Sequence, residues 1–216
     1  MWWKMRSTSN HPTYDYDEIA EKIFYPAYDE IIDNVITTLG ITEGKFLDVG
    51  CGGGHLGFAM MKRSSMHGSF IDIHEGAAEV TEIRAKKLGF DGRSVIKCGN
   101  VEEMPFEDNE FDLIISRGSV QFWENQEKAF REILRVMKTG GKAYIGGGLG
   151  SLKTQQEIQK KLEAIGKTRY GFKKEHDKYT FALSIDEYKQ LFEILPCKYK
   201  LISNEQSKRL IILEKI

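Results

Sequence analysis

The stretch Phe46-Leu47-Asp48-Val49-Gly50-Cys51-Gly52-Gly53-Gly54-His55 constrains the fold of this chain more than any other. A short apolar run carries an aspartate near its end and breaks into four glycines before a helix-like segment begins at Leu56. The missing side chains let a ligand touch backbone. A strand that bends into a helix also offers free N–H donors and the positive end of a helix dipole to a negative or polar ligand group.

The rest of the chain repeats the strand and helix alternation. Runs rich in β-branched and aromatic residues at 46–49, 69–73, 94–98, 112–116 and 142–146 predict strands, and helical spacing at 56–64, 75–88 and 125–137 predicts the crossovers between them. Helical spacing also runs from Asp15 to Leu39, with Pro26 as a break and Gly40 as a stop. Beyond Gly150, helices are expected at 155–165 and 184–195, with a polar, basic stretch at 166–179 between them. Two β-rich runs at 199–203 and 209–214 then flank a turn at Asn204-Glu205-Gln206. The expected fold is α/β: a doubly wound, mainly parallel, seven-stranded Rossmann-like sheet in a three-layer α/β/α sandwich, with an antiparallel C-terminal edge strand. One domain over residues 1–216 divides into a helical segment (1–40), a core (41–150), a helical and basic insertion (151–195) and a C-terminal hairpin (196–216).

A second acidic residue gives the glycine loop a partner. Asp72 ends the second expected strand, where its carboxylate lies beside the loop and can accept from ribose hydroxyls. The pair implies a nucleoside-bearing cofactor. Two alternatives stay open: a glycine turn made for tight packing, and Asp72 as a cap of the next helix. The dinucleotide pattern G-x-G-x-x-G also fits Gly52, Gly54 and Gly57. Nicotinamide and flavin sites, however, usually place the first glycine directly after the strand, whereas Gly50 comes first here.

Composition narrows the partners. A formal net charge of -1 gives no general electrostatic reason to expect nucleic acid or an anionic membrane. Three cysteines without a C-x-x-C pair indicate neither a disulfide framework nor a zinc site, and a reducing cytosol fits them best. The N-terminal residues lack the apolar core of a signal peptide, and no run approaches the roughly 18 apolar residues of a membrane span. A cytoplasmic protein is expected, with no membrane association and its oligomeric state left open.

Five segments in order, 46–54, 68–75, 98–106, 111–118 and 135–141, resemble the class I S-adenosylmethionine-dependent methyltransferases, nearest their small-molecule branch. The resemblance covers roughly residues 40 to 150. It implies S-adenosyl-L-methionine as cofactor and S-adenosyl-L-homocysteine as product. Asp48 would then face the methionine ammonium, and Gly50, Cys51 and Gly52 would let that end approach the backbone. Asp72 would hold the ribose, Ile73 would give the ring an apolar face, and Val101 would offer it an N–H. Asn100 stands where the family usually has an aspartate that contacts the adenine amino group, and its side-chain oxygen can still accept. Ser116, Arg117 and Gly118 would bound the methionine moiety. Thr139 replaces the usual proline of its turn. In the family the N-terminal extension often folds across the cofactor as a lid.

Methyl transfer from a sulfonium is an in-line displacement in which the protein supplies alignment, water exclusion and, for some acceptors, a base. The expected partner is a small-molecule methyl acceptor, with Tyr14, Tyr25 and Trp123 as substrate-side candidates. RNA or protein methylation, suggested by the basic stretch, and cofactor binding without chemistry are the alternatives. Arg117 fixes an acidic group of cofactor or acceptor, or closes an internal salt bridge. No metal constellation stands out, and no catalytic base is assigned; His55 is read as the start of a helix and His176 is left open.

Overall fold

Every apolar run expected as a strand pairs into one sheet in the computed structural model, which describes residues 16–166, 183–204 and 208–216. The strands are β1 Lys45–Val49, β2 His67–Asp72, β3 Ser94–Cys98, β4 Phe111–Ser116, β5 Met137–Gly146, β6 Cys197–Asn204 and β7 Lys208–Lys215. Their order is β3-β2-β1-β4-β5-β7-β6, parallel from β3 to β5 and antiparallel at β5/β7 and β7/β6. The C-terminal hairpin thus inserts its second strand between β5 and β6. Residues 205 and 206 of the expected turn lie outside the described residues.

Both faces of the sheet are covered, so its central strands read as nearly unbroken apolar runs. Phe46, Leu113 and Ile115 point into one core with Ile32, Phe58 and Phe70. Their neighbours Leu47 and Ile114 point into the other, with Phe130, Ile133 and Tyr188. The first core lies under α1 Tyr16–Ile19, α2 Tyr25–Leu39, α3 His55–Arg63 and α6 Leu152–Ala164. The second lies under α5 Gln126–Val136 and α7 Ile185–Glu193, while α4 Glu75–Leu88 packs on β2 and β3.

The N-terminal helices differ in one respect from the expectation. Pro26 does not break them: it sits in the first turn of α2, where a missing N–H has no helical partner to lose, and a π turn at Ala20–Phe24 takes up the misfit just before it. Glu30 on α2 then accepts from the Ser151 N–H and the Ser151 and Thr154 hydroxyls at the start of α6. That carboxylate pins the two helices together at a helix N-terminus that favours negative charge.

The strand order positions the site. From β1 the chain winds outward to β2 on one side, and β4 lies on the other, so the loops after β1 and β4 diverge at the sheet's carboxyl edge and leave a crevice between them.

Candidate active site

A cavity of about 40 Å³ occupies that crevice, floored by the glycine loop and roofed by the N-terminal helical segment. Asp48 supplies its charge from the end of β1. Its carboxylate is only 1% exposed, and Oδ2 accepts from the Gly57 N–H at 2.9 Å. Burial pushes the Asp48 carboxyl up to about 7; the Gly57 hydrogen bond opposes this and the nearby Asp72 charge adds to it.

The loop between them is tight because glycine permits it. Gly50 has φ +66, and a Cβ there would strike the Ser119 side chain. Gly57 lies against Phe70 and the Asp48 carboxylate, so the third glycine of the apparent dinucleotide pattern serves helix packing on the sheet.

The loop donors are turned inward, and this corrects the expectation of an anion cradle. Gly50 and Cys51 donate their N–H groups to the Ile71 carbonyl at 2.9 and 3.1 Å, and Gly54 donates to the Cys51 carbonyl at 2.8 Å. Gly52 donates to Asp72 Oδ2 at 2.9 Å. The same wall carries the Asp48 carboxylate, and of its backbone donors only those of Gly53, His55 and Leu56 are not spent on these contacts. It suits a positive group and offers little to a pyrophosphate.

Asp72 both builds the loop and keeps capacity to spare. Its Oδ1 accepts from the His74 N–H at 3.0 Å. A carboxylate has about four lone-pair sites, so two backbone hydrogen bonds leave room for ribose hydroxyls. Beside it Ile73 is 61% exposed, an apolar face at the end of β2 with no core to enter. Val101 is buried, whereas the exposed Asn100 already accepts the Glu102 N–H on Oδ1 at 2.9 Å. Only the second lone pair of that oxygen remains for a ligand.

The roof rests on residues that sequence reasoning missed. Asp17 on α1 meets His55 Nε2 at 2.9 Å and takes a two-pronged contact from Arg84 on α4, at 3.1 and 2.8 Å. Arg84 also donates to the Gly53 carbonyl. Burial alone would raise the Asp17 carboxyl, but the hydrogen bonds from His55 and Arg84 and the Arg84 charge hold it well below the usual carboxylate range. His55 stacks on Tyr28 of α2 with ring centroids 5.5 Å apart. An acidic residue in the extension was the one available signal; nothing marked Arg84 as its partner.

Arg117 faces this assembly from the loop after β4. Its guanidinium lies 5.0 Å from the Tyr28 ring centroid and 5.5 Å from that of Phe24, and Nε donates to the Gly148 carbonyl at 3.4 Å. No carboxylate pairs with it among the described ion pairs, so the internal salt bridge is not what holds it. Ser116 turns away from the cavity, its hydroxyl donating to the Val49 carbonyl at 2.8 Å, and Gly118 is exposed just beyond.

The substrate-side candidates separate. Tyr25 turns its hydroxyl to Lys62, near the far end of α3, and does not line the cavity. Trp123 is 6% exposed and packs edge-on against Phe130, inside the second core. Tyr14, His176 and residues 167–178 of the basic segment lie outside the described residues. Among the described residues, no group of three or more His, Cys, Asp or Glu side chains could hold a metal ion, and no helix is long and apolar enough to cross a membrane.

S-adenosylmethionine fits what is present. A buried carboxylate faces the cavity for its positive amino-acid end, Gly50 and Gly52 line it without side chains, and Asp72 and Ile73 stand at the end of the neighbouring strand for the nucleoside.

Known proteins share this fold. A methyltransferase-domain family model matches residues 42–194. A crystal structure from Methanococcus maripaludis, assigned as an S-adenosyl-L-methionine-dependent methyltransferase, superimposes with a TM-score of 0.81 at 34% identity, covering 92% of this chain and 90% of that one. An uncharacterized methyltransferase of Bacillus subtilis is 35% identical over 51% of this chain and 60% of its own length. The ubiquinone/menaquinone biosynthesis C-methyltransferase of Idiomarina loihiensis is 31% identical over 49% of this chain and 43% of its own. This chain therefore matches less than two thirds of the length of either curated relative. With the family model matched over most of its residues, the chain belongs to the class I S-adenosylmethionine-dependent methyltransferase family.

Proposed function

We propose that this protein moves the methyl group of S-adenosylmethionine to a small-molecule acceptor by in-line transfer. The observation that carries the reading is the inward turn of the loop amides beside Asp48. It leaves the cavity a negative wall suited to the cofactor's ammonium and sulfonium region. The small-molecule part rests on the names of relatives, which include the quinone C-methyltransferase above and a 24-methylenesterol C-methyltransferase of Arabidopsis thaliana, 36% identical over 44% of this chain and 27% of that protein.

The bound cofactor supplies an electrophilic methyl on sulfur. The protein's own residues do the remaining work. Asp48 holds the amino-acid end, Gly50, Cys51 and Gly52 let it approach, and Asp72 orients the ribose. Ile73, Asn100 and Val101 flank the adenine, and Arg117 with Gly118 bounds the methionine moiety. Residues 16–39 act as the lid, shutting water from the reacting sulfur while Asp17 and Arg84 keep them closed. Residues 41–150 form the cofactor-binding core of the single domain.

The test is transfer of a radiolabelled methyl to fractionated extract. Label in organic-soluble small molecules is expected. Label confined to RNA or protein would overturn the acceptor class, and cofactor binding with no transfer to any fraction would favour a sensor.

A further inference from the structure

We propose that Arg117 is the specificity residue that reads the α-carboxylate of the cofactor, so that the cavity recognises a zwitterion and not a cation alone. This deepens the proposed function and rests on its cofactor reading.

The opposite wall offers a carboxylate little. Five amides of the glycine turn and the start of α3, those of Gly50, Cys51, Gly52, Gly54 and Gly57, are committed to Ile71, Asp72, Cys51 and Asp48 within the chain. Asp48 adds a buried carboxylate to the same wall, which repels a second one. A ligand whose ammonium meets Asp48 finds no positive side chain on this wall except His55, which faces Asp17; the full positive charge for its carboxylate lies across the cavity.

Arg117 stands there. Among the described residues it is the only lysine or arginine that lines the cavity, and the other basic side chain, His55, faces Asp17. The guanidinium is half-buried and shelved on the rings of Tyr28 and Phe24, which fixes its plane at low entropic cost. The Nε contact to Gly148 occupies one of five N–H donors, and a carboxylate can take two of the others side by side. An arginine held this way discriminates by charge and by geometry.

The experiment is a ligand-by-mutation cycle in the binary complex, with no acceptor present. Dissociation constants are measured by calorimetry for S-adenosylmethionine and for decarboxylated S-adenosylmethionine, with the wild type, Arg117→Met and Arg117→Gln. Wild type should prefer the carboxylate-bearing form by more than tenfold. Either variant should lose more than tenfold of affinity for that form and less than twofold for the decarboxylated one, so that the preference collapses. Binding of the decarboxylated form reports an intact site even where a variant is less stable, and the two variants check each other. A preference that survives both substitutions, or a wild type that binds the two forms equally, overturns the proposal; the second result would assign Arg117 to the acceptor. If wild type binds neither form, the cofactor reading itself falls, and this inference with it.

Discussion

The floor of the cavity and its roof are held by hydrogen bonds of different reach and kind. On the floor, backbone N–H groups of Gly52 and Gly57 donate to carboxylates 20 and 9 residues away. On the roof, side chain meets side chain, and Asp17 reaches 38 residues to His55 and 67 to Arg84. A floor made of backbone is present whenever the sheet is folded. The roof also covers the first core with Ile19, Ile23, Ile32 and Val35, so only its first turns, where Asp17 sits, can open at less cost than global unfolding.

The largest effect should come from breaking the floor. Gly50→Val forces a β-branched residue to φ +66 and into the Ser119 side chain. A loss of about 2–4 kcal/mol of stability is expected, with cofactor binding no longer measurable. Calorimetric unfolding and titration check both, and a variant that still binds would show that the loop is not what the cofactor approaches.

Asp48→Asn keeps the shape of the floor and removes its charge. Affinity for S-adenosylmethionine should fall roughly 10- to 100-fold, the range for a hydrogen bond to a charged group. In the wild type, affinity should rise about tenfold between pH 6 and pH 8, as the Asp48 carboxyl ionises near 7. The variant should show only the titration of the cofactor itself, so the ratio of the two curves isolates Asp48. The unliganded protein runs the other way. Its folded-state carboxyl sits above the ordinary 3.8, so this group's stabilisation is complete below that value and is lost as pH rises through about 7. Equal pH slopes in wild type and variant would refute the assignment.

The roof should respond more mildly. Asp17→Asn removes a charge-assisted contact from a side chain 15% exposed against an Arg84 13% exposed, for a loss of about 1–3 kcal/mol of stability. Because Asp48 and Asp72 keep their own contacts, the dissociation constant should rise only a few-fold, while amide exchange speeds up across residues 17–28. A hundredfold loss of affinity would mean that roof and floor are one unit.

The smallest change separates the helices from the site. Tyr25→Phe removes the contact from Lys62 on a half-exposed surface and should cost less than about 0.5 kcal/mol with no change in affinity. A shift in cofactor binding would return Tyr25 to the cavity.

The same contrast explains what was legible before the structure. Strand periodicity, the glycines at 50–54 and the acidic residue at 72 all act within some thirty residues, so local rules expose the strands around β1 and the two carboxylates. The direction of the loop amides was not legible, because it depends on which carbonyl of β2 comes into register beneath them. The roof was hidden for a similar reason. Asp17, His55 and Arg84 carry no shared spacing, and only the packing of α1 against α3 and α4 brings them together. Trp123 and Tyr25 were plausible as pocket walls by type alone, and burial against Phe130 and a turn toward Lys62 decided otherwise.

The central claim is that a floor carrying the Asp48 carboxylate, with the amides of Gly50, Cys51 and Gly52 turned inward, selects a positively charged nucleoside cofactor over a phosphorylated one. Titrating the intact protein with S-adenosylmethionine and with NAD under one set of conditions tests this directly. S-adenosylmethionine should bind in the micromolar range, about -8 kcal/mol, and NAD should give no measurable heat. Tighter binding of NAD, or no binding of S-adenosylmethionine, would contradict the account.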